Sequence, residues 1–265
     1  MINKQALGVA AAVVAVAVGT WYFLHNRRAA LPPAPAAAQI PAPAVAPAES
    51  GIQHPLPEGL DSSPKAPLPA LSGSDAAFSD ALSSVAGNSG VKDYLRPENI
   101  IRHMVVTIDN LTRQKVAVEK RPTTAVAGSF VAAGDELHGT LDPQNFARYQ
   151  PWVAVFGKLD MVKLAAVYIR FYPLFQQAYQ DLGYPNGYFN DRLVLVIDSL
   201  LATPQPAGPI ELVRPNVMYT FADPALESRP AGQKLLIRMG PDNAAAIKAK
   251  LKELRAAIGA APPKK

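Results

Sequence analysis

Cysteine is absent from this chain of 265 residues, and histidine occurs only four times. The absence of cysteine excludes a disulfide scaffold, a zinc or iron–sulfur site with thiolate ligands, and a thiol nucleophile. Charged residues are also scarce at 18%, whereas hydrophobic residues make up 49% and prolines number 26. This composition matches neither a fully disordered chain nor a uniform globular one. We therefore expect segments of different character along the chain.

The net charge of +5 is concentrated at the carboxyl end. Residues 248–265 hold six basic residues and one acidic residue, whereas residues 75–247 hold 16 basic and 17 acidic residues. A protein that binds nucleic acid through a broad surface carries positive charge across that surface. The near-neutral body therefore predicts that nucleic acid is not a partner.

Residues 6–24 form an uncharged run of 19 residues, ALGVAAAVVAVAVGTWYFL. A helix of this length spans the hydrocarbon core of a bilayer, at ~1.5 Å per residue. Trp21 and Tyr22 lie near the end of the run, and His25, Asn26 and two arginines follow it. Aromatic residues followed by cations favour an uncleaved transmembrane anchor over a cleaved signal peptide or a buried helix. We expect residues 1–5 to form a short cytoplasmic head. The bulk of this single-pass inner (plasma) membrane protein is then expected to be periplasmic.

Proline and alanine dominate residues 25–70, which contain no aromatic residue. Such a segment has little from which to build a core, and proline favours an extended polyproline conformation. We expect a disordered Pro/Ala-rich linker at 25–70 that lets the following domain reach away from the membrane. A role as ligand for a proline-recognising domain is the weaker alternative. Residues 259–265 are expected to form a basic disordered tail.

The remaining residues, 71–258, have the periodicity of one compact domain with several helices. Capping residues and first-turn prolines followed by apolar residues at helical spacing predict helices that start near Asp75, Pro97, Pro143, Met161, Phe189, Ala231 and Pro241. Pro173 is expected to divide its helix into two pieces. Short β-prone runs predict a hairpin within 129–141 and strands at 210–213 and 217–221. The expected fold class is mainly α, or α+β with a minor β element.

The sequence carries no recognisable catalytic or cofactor motif. HExxH, GxSxG, GxGxxG and GxxxxGK[ST] are all missing. His138 lies beside Asp135 and Glu136, a conceivable metal cluster, but these residues occupy a glycine-flanked stretch rather than a rigid element, which favours a solvated loop. His103, the other histidine of the body, lies in an apolar helical pattern. We therefore expect no metal and no cofactor.

Aromatic side chains are concentrated at 146–189, which hold 12 of the chain's 20. Tyr168, Tyr172, Phe175 and Tyr179 follow one another at helical spacing, and such a stripe more often belongs to a core than to a ligand groove. The turn after this stripe is the candidate binding surface, because a turn that leads into a helix presents amides, a carboxylate and a guanidinium together. The candidate residues are Tyr184, Asn186, Tyr188, Asn190, Asp191 and Arg192. The simpler alternative is helix capping by the asparagine and the aspartate, with an ion pair beside them.

The last predicted helix is amphipathic and basic. It places apolar residues on one stripe and Lys248, Lys252 and Arg255 on the opposite one. Core packing with a solvated basic face is the simpler interpretation, and contact of the three cations with a membrane surface is the alternative. Each cation close to anionic headgroups would contribute ~1 kcal/mol.

Four strings in the body resemble a known bacterial family. They are YPLFQQAYQDLGYPNGYFNDRL from Tyr172, ATPQPAGPIELVRP from Ala202, FADPALE from Phe221 and AGQKLLIRMGPDNA from Ala231. In wording and order they are similar to the domain of unknown function 3014, over residues from about 71 to 258. Members of that family resemble this chain in their N-terminal membrane segment and proline-rich spacer. The resemblance implies a Gram-negative envelope protein without an assigned activity, and it supplies no catalytic residues.

Together these features predict a membrane-tethered interaction or scaffold module of the cell envelope. Its expected partners are the inner membrane, through the anchor, and an envelope protein, and its expected role is noncatalytic. The main alternative is a glycan- or lipid-directed hydrolase with paired carboxylates, Asp191 with Glu211 or Asp198, which must then lie roughly 5–10 Å apart in a cleft. A further alternative is a lipid-binding module with an aromatic groove, which requires a large apolar cavity. The sequence identifies no small-molecule ligand.

Overall fold

The chain folds into a mainly helical body with a small antiparallel sheet, as the sequence predicts. The computed structural model describes residues 51–57, 67–86, 90–135 and 137–259. The α-helices of these residues are α1 (Asp75–Ala86), α2 (Val91–Tyr94), α3 (Ile100–Asn110), α4 (Gln144–Gly157), α5 (Met161–Asp181), α6 (Phe189–Leu201), α7 (Pro224–Glu227), α8 (Ala231–Arg238) and α9 (Pro241–Ile258). The strands are β1 (Ala132–Gly134), β2 (His138–Leu141), β3 (Glu211–Val213) and β4 (Thr220–Phe221). Short 3₁₀ turns lie at Leu71–Gly73 and Val118–Lys120.

Helix α5 is the centre of the main core. The Asp160 carboxylate accepts hydrogen bonds from the amides of Val162 and Lys163 at 3.0 and 3.1 Å, which caps the start of the helix. The aromatic stripe of α5 is buried against α1, α3, α6 and α9. All four members of the stripe are buried, and so is the neighbouring Phe171. The stripe is therefore core rather than the wall of an open groove.

Pro173 does not divide α5, so the predicted break is wrong. The helix is assigned as one element with Pro173 inside it. Proline removes a helix hydrogen bond and costs about 3 kcal/mol. The residues on both sides, Tyr172 and Leu174, are buried in the core, and burial of a large apolar side chain contributes about 1.5–3 kcal/mol. Core packing therefore offsets the local penalty.

Helix α3 begins at Ile100, three residues after the predicted start at Pro97. The Asp75 carboxylate, at the start of α1, accepts hydrogen bonds from the amides of Asn99 and Ile100, both at 2.8 Å. Asn99 itself has left-handed backbone geometry, with φ of 52°, and asparagine tolerates that region better than most residues. A side chain from another helix thus sets the start of α3.

The strands pair in the order β1-β2-β3-β4, each antiparallel to its neighbour. The register places Ala133 opposite Thr140, His138 opposite Val213, and Leu212 opposite Phe221. Helices α4, α5 and α6 lie between β2 and β3 in sequence, so the sheet joins the two β-prone regions that the sequence predicted separately. A second core lies between the sheet and α8, formed by Leu141, Leu212, Phe221 and Ile237.

The folded body includes residues upstream of the predicted boundary at residue 71. Residues 51–57, which we name the strap, belong to the same compact unit as the rest of the described chain. Leu56 in the strap and Leu68 further on pack against the main core. The composition of this stretch is that of a linker, but its backbone and one leucine have partners on the body.

The predicted anchor at residues 6–24 lies outside the described residues, as does most of the predicted linker. Among the described residues, no helix combines the length and the hydropathy needed to cross a bilayer. The anchor therefore stays a prediction from the sequence.

Candidate interaction site at the start of helix α6

A tight turn joins α5 to α6 and carries the first candidate residues. Glycine is required at Gly187, because a Cβ there would lie 2.7 Å from the ring of Tyr179. The ring of Tyr184 stacks on Tyr179, with centroids 4.5 Å apart. The Gln176 side chain donates to the Gly187 carbonyl at 2.6 Å and accepts from the Phe189 amide at 2.9 Å. Packing and hydrogen bonds therefore fix this turn.

Behind the turn lies a buried carboxylate, Asp109, that the sequence reasoning missed. Its side chain is 4% exposed and pairs with Arg192 Nε at 2.9 Å and with Arg113 Nη2 at 2.8 Å. The Tyr184 hydroxyl donates to Asp109 Oδ2 at 3.3 Å and accepts from Arg113 at 2.6 Å. We name these four residues the Asp109 cluster. It ties α3 to α6 and to the turn.

Arg192 is bound within the protein rather than presented to a ligand. Its Nη2 donates to the Asp109 carbonyl at 2.6 Å and to the Thr112 hydroxyl. This arrangement is the ion pair that the simpler sequence interpretation expects. One signal could have identified its partner: Asp109 follows Ile101 and Val105 at intervals of four, so it is an acidic residue on the buried stripe of α3. A carboxylate on such a stripe requires a buried cation or hydrogen-bond donors.

Asn190 is fully buried in the first turn of α6. Its Oδ1 accepts from the Tyr168 hydroxyl at 3.2 Å. Its Nδ2 donates to the backbone carbonyls of His54 at 2.7 Å and Ile258 at 3.2 Å. A buried amide left without partners costs about 1–3 kcal/mol, and both ends of this one are bonded. Asn190 therefore joins α5, the end of α9 and the strap instead of capping its own helix.

Asp191 holds the strap by its backbone. Its Oδ1 accepts from the His54 amide at 2.6 Å, and its Oδ2 accepts from the Gln53 amide at 3.1 Å. Hydrogen bonds to an ionised carboxylate are stronger than those between neutral groups. Leu56 packs against the main core two residues further along. The start of α6 thus binds a short peptide segment that comes from the same chain.

The last two candidate residues differ in exposure. Tyr188 is half-buried and packs against Tyr172, with ring centroids 5.4 Å apart. Asn186 is exposed in the turn. The structure therefore brings the predicted residues into one region but divides their roles among the Asp109 cluster, the strap contact and core packing.

The three predicted membrane-contacting cations do not form an open basic face. Lys248 is half-buried and its Nζ donates to the Thr203 carbonyl. Arg255 is also half-buried and pairs with Asp198 at 3.0 Å. Lys252 is the exposed member of the three. Two of the cations therefore hold helix α9 to its surroundings, which fits the simpler interpretation of core packing.

The carboxylates of the hydrolase alternative have separate partners. Asp191 accepts from the strap and Asp198 pairs with Arg255. They are seven residues apart on α6, about 10 Å along the axis. Glu211 is exposed in β3, which packs on the second core. These contacts lend the paired-carboxylate mechanism no support.

The described residues also line a partly open, mainly apolar cavity of ≈ 330 Å³ away from the aromatic stripe. No charged residue lines it, and its walls include Phe146, Leu236, Ile237 and the prolines of the loop before β3. Neither this cavity nor a shallower depression beside Asp160 and Lys250 is lined by a candidate carboxylate of the hydrolase alternative. The aromatic stripe on which the lipid-binding alternative depends is buried and does not line this cavity.

The histidines of the body lie apart from the start of α6. His138 Nδ1 and Asp135 Oδ1 are 3.8 Å apart and both side chains are largely exposed. They are solvated, as predicted, but His138 is the first residue of strand β2 rather than part of a loop. His103 is half-buried on α3, where burial and the nearby positive charges lower its pKa. Among the described residues, which leave out Glu136, no three metal-ligating side chains form a group.

The tyrosines around the site are held in their neutral form. Burial raises the pKa of Tyr179 to about 12, and it also raises the pKa values of Tyr168 and Tyr172 above their ordinary value. These hydroxyls therefore act at neutral pH as hydrogen-bond donors, for example from Tyr168 to Asn190. They do not supply charge to the site.

A comparison with known protein families gives a match over most of the body. Residues 100–255 match the family described as Protein of unknown function (DUF3014). The match covers more than half of the chain and reaches from α3 into α9, so it includes the Asp109 cluster and the Asn190–Asp191 pair but not the strap. Neither a curated protein nor a solved structure matches the chain.

Proposed function

The chain belongs to the DUF3014 family, and we propose that it is a noncatalytic interaction or scaffold module of the bacterial cell envelope. In this proposal residues 6–24 tether the module to the inner membrane. The folded body lies in the periplasm, and the start of α6 meets an envelope protein.

One observation carries the proposal: the start of α6 binds a peptide segment. Asn190 and Asp191 bind backbone groups of the strap, and a neighbouring leucine of the strap packs on the core. Surfaces that read peptide backbone in this way are typical of interaction modules. The polar groups of the site are meanwhile engaged in bonds within the protein, which supports a binding role over a catalytic one.

The membrane tether is supported by the sequence. The run at residues 6–24 has the length and the flanking aromatics of a spanning helix. A carboxyl-terminal alkaline phosphatase fusion tests the orientation, since that enzyme is active only outside the cytoplasm. We expect activity. An inactive fusion paired with an active cytoplasmic reporter would refute the periplasmic placement.

Site-directed photocrosslinking in intact cells tests the interaction itself. The photoreactive residue is best placed at Asn186, which is exposed in the turn, because replacing Tyr184 would remove a hydroxyl from the Asp109 cluster. Ala245, exposed on α9, is the matched control position. We expect one or a few protein adducts from Asn186 and none of these from Ala245. Adducts of lipid or glycan alone, or the same proteins from both positions, would contradict the proposal.

A further inference from the structure

We infer that the Asn190–Asp191 pair is a docking site for a proline-containing peptide segment of a partner protein, and that the strap competes with this segment from within the chain. The inference rests on the proposed interaction function and names the chemistry of its partner. The segment must offer two successive backbone amides, then a proline, and then an apolar side chain.

The first argument is that the site recognises backbone atoms. Asp191 accepts from the amides of Gln53 and His54, and Asn190 donates to the His54 carbonyl. Each of these bonds ends on a main-chain atom of the strap, which any other peptide also possesses. A foreign segment with two amides and a carbonyl at the same positions can therefore form the same three hydrogen bonds.

The second argument concerns the order of residues in the strap. Pro55 follows the two bonded amides, and Leu56 follows the proline. Proline restricts the preceding residue to extended conformations, which lowers the entropy lost on binding. The tripeptide Pro-Leu-Pro occurs twice in the chain, at 55–57 and 67–69, and in both copies the leucine packs against the main core. The surface of the body is thus suited to leucines that are flanked by prolines.

The third argument is that residues outside the strap hold the site in place. Asn190 is fully buried, and its amide is oriented by the Tyr168 hydroxyl and the Ile258 carbonyl. The adjacent turn is fixed by Gln176 and by the stacking of Tyr184 on Tyr179. None of these contacts involves a residue of the strap. A preorganised site loses little free energy to ordering when a new segment binds.

The fourth argument is that most of the strap remains exposed to solvent. Four of its seven residues are exposed, and Ile52 retains 57% of its surface. A tethered segment of this kind occupies its site mainly because its effective concentration is high, on the order of millimolar. A partner segment with additional contacts of its own can displace it.

The test measures binding of a fluorescent peptide to the full-length chain in detergent micelles. The probe has the sequence SGIQHPLPE, that of residues 50–58. One protein is the natural chain, and the second carries H54P and L56S, which remove one amide donor and the buried leucine from the strap. The second protein should bind the probe at least about tenfold more tightly than the natural chain. If the strap occupies the site of the natural chain about nine-tenths of the time, only about one-tenth of the molecules can bind the probe, and the apparent affinity is about tenfold weaker.

Two further variants locate the binding. Asp191→Asn in the strap-weakened chain should reduce probe binding about tenfold or more, since the charged acceptor is lost. Asp198→Asn on the same helix, whose partner is Arg255 rather than the strap, is the matched control and should leave probe binding unchanged. Circular dichroism and thermal melting verify that each variant is folded.

Several results would overturn the inference. Equal binding to the natural and the strap-weakened chains would show that the strap does not compete, and binding insensitive to Asp191→Asn would place the probe elsewhere. A concentration-dependent dimer of the strap-weakened and natural chains would identify a second copy as the occupant instead. If the H54P L56S chain does not fold, hydrogen exchange of the Gln53 and His54 amides in the natural chain is measured instead. Exchange of these amides only when the whole protein unfolds would show that the strap does not leave its site, and would contradict the inference. Protein adducts at Asn186 combined with no probe binding would reject the inference while the proposed function stands.

Discussion

Removal of the Asp109 carboxylate is the sharpest test of how the site is held together. Asp109→Ala leaves Arg192 inside the protein without its counter-ion, and that arginine is only 19% exposed. Breaking a buried pair by removing one partner costs about 3–5 kcal/mol. Because Arg192 keeps some access to water, we expect the lower end, about 3 kcal/mol. For a body of this size that loss lowers Tm by roughly 6–12 °C.

The second arginine of the cluster provides the matched comparison. Arg113 is 50% exposed, and exposed ion pairs contribute only about 0–1 kcal/mol. Arg113→Ala should therefore destabilise the protein by less than about 1 kcal/mol. Urea denaturation followed by tryptophan fluorescence measures both variants, and a double-mutant cycle of Asp109→Ala with Arg192→Met isolates the buried pair. Equal losses for Asp109→Ala and Arg113→Ala, or a loss under about 1 kcal/mol for Asp109→Ala, would refute the reasoning.

Three further predictions concern other parts of the body. Gly240→Ala should lower the free energy of unfolding by at least about 2 kcal/mol, because φ of Gly240 is +87° and a Cβ would lie 2.5 Å from the Phe146 ring. The control is Gly208→Ala, at φ of +79° with open space around it, which should cost about 1 kcal/mol in the same urea denaturation assay. Equal losses for the two variants would contradict the steric argument. Burial acts to raise the pKa of Glu227, but Lys234 and the Phe221 amide lower this pKa overall. The Glu227 carboxylate therefore stabilises the fold at pH values above 4.5, its pKa in the unfolded chain, and this contribution is lost as pH falls through the lower pKa of the folded state. Glu227→Gln should then flatten the acid side of the stability curve, whereas an unchanged acid side would reject this assignment. Burial raises the pKa of Tyr179 to about 12, so the contribution of Tyr179 to stability is fully present below about pH 10 and is lost as pH rises through about 12. Ultraviolet titration should show that fewer than nine tyrosines ionise before the chain unfolds. Ionisation of all nine in a chain that stays folded would contradict the burial.

The elements that the sequence predicts well are those whose ends are marked by nearby glycine or proline residues. Helix α9 runs over Pro241–Ile258 as expected, since Gly240 and Pro241 mark its start within two residues. Strand β3 at Glu211–Val213 falls within the predicted 210–213 for a similar reason, because the prolines before it end the preceding element. Local signals of this kind need no knowledge of the tertiary structure.

The errors come from contacts between residues distant in sequence. The start of α3 is set by Asp75 of another helix, and the helix around Pro173 is kept whole by core packing. The strap has the composition of a linker, yet its amides are bonded to Asp191, more than 130 residues away. Predictions from local composition and spacing miss these contacts, because each partner residue lies far away in the sequence.

The candidate residues lie in one region, as their closeness in sequence predicts, but the structure gives them separate roles within the protein. The turn chemistry around Tyr184 and Asn186 identified the place where a loop leads into a helix. Burial decided the roles: Asn190 is inside the protein and Arg192 faces Asp109. The pairing with Asp109 depends on how α3 and α6 pack, and only the lone acidic residue on the apolar stripe of α3 hinted at it.

The position of the strap has a mechanical consequence. The strap precedes every helix of the described chain, so a pulling force applied from the amino-terminal side reaches its bonds to Asn190 and Asp191 before it reaches the core. Those few bonds are the first to rupture under load, and release of the seven strap residues adds up to roughly 20 Å of slack at ~3.1 Å per residue. Under such a load the strap is expected to yield first, before the helices of the body lose their contacts.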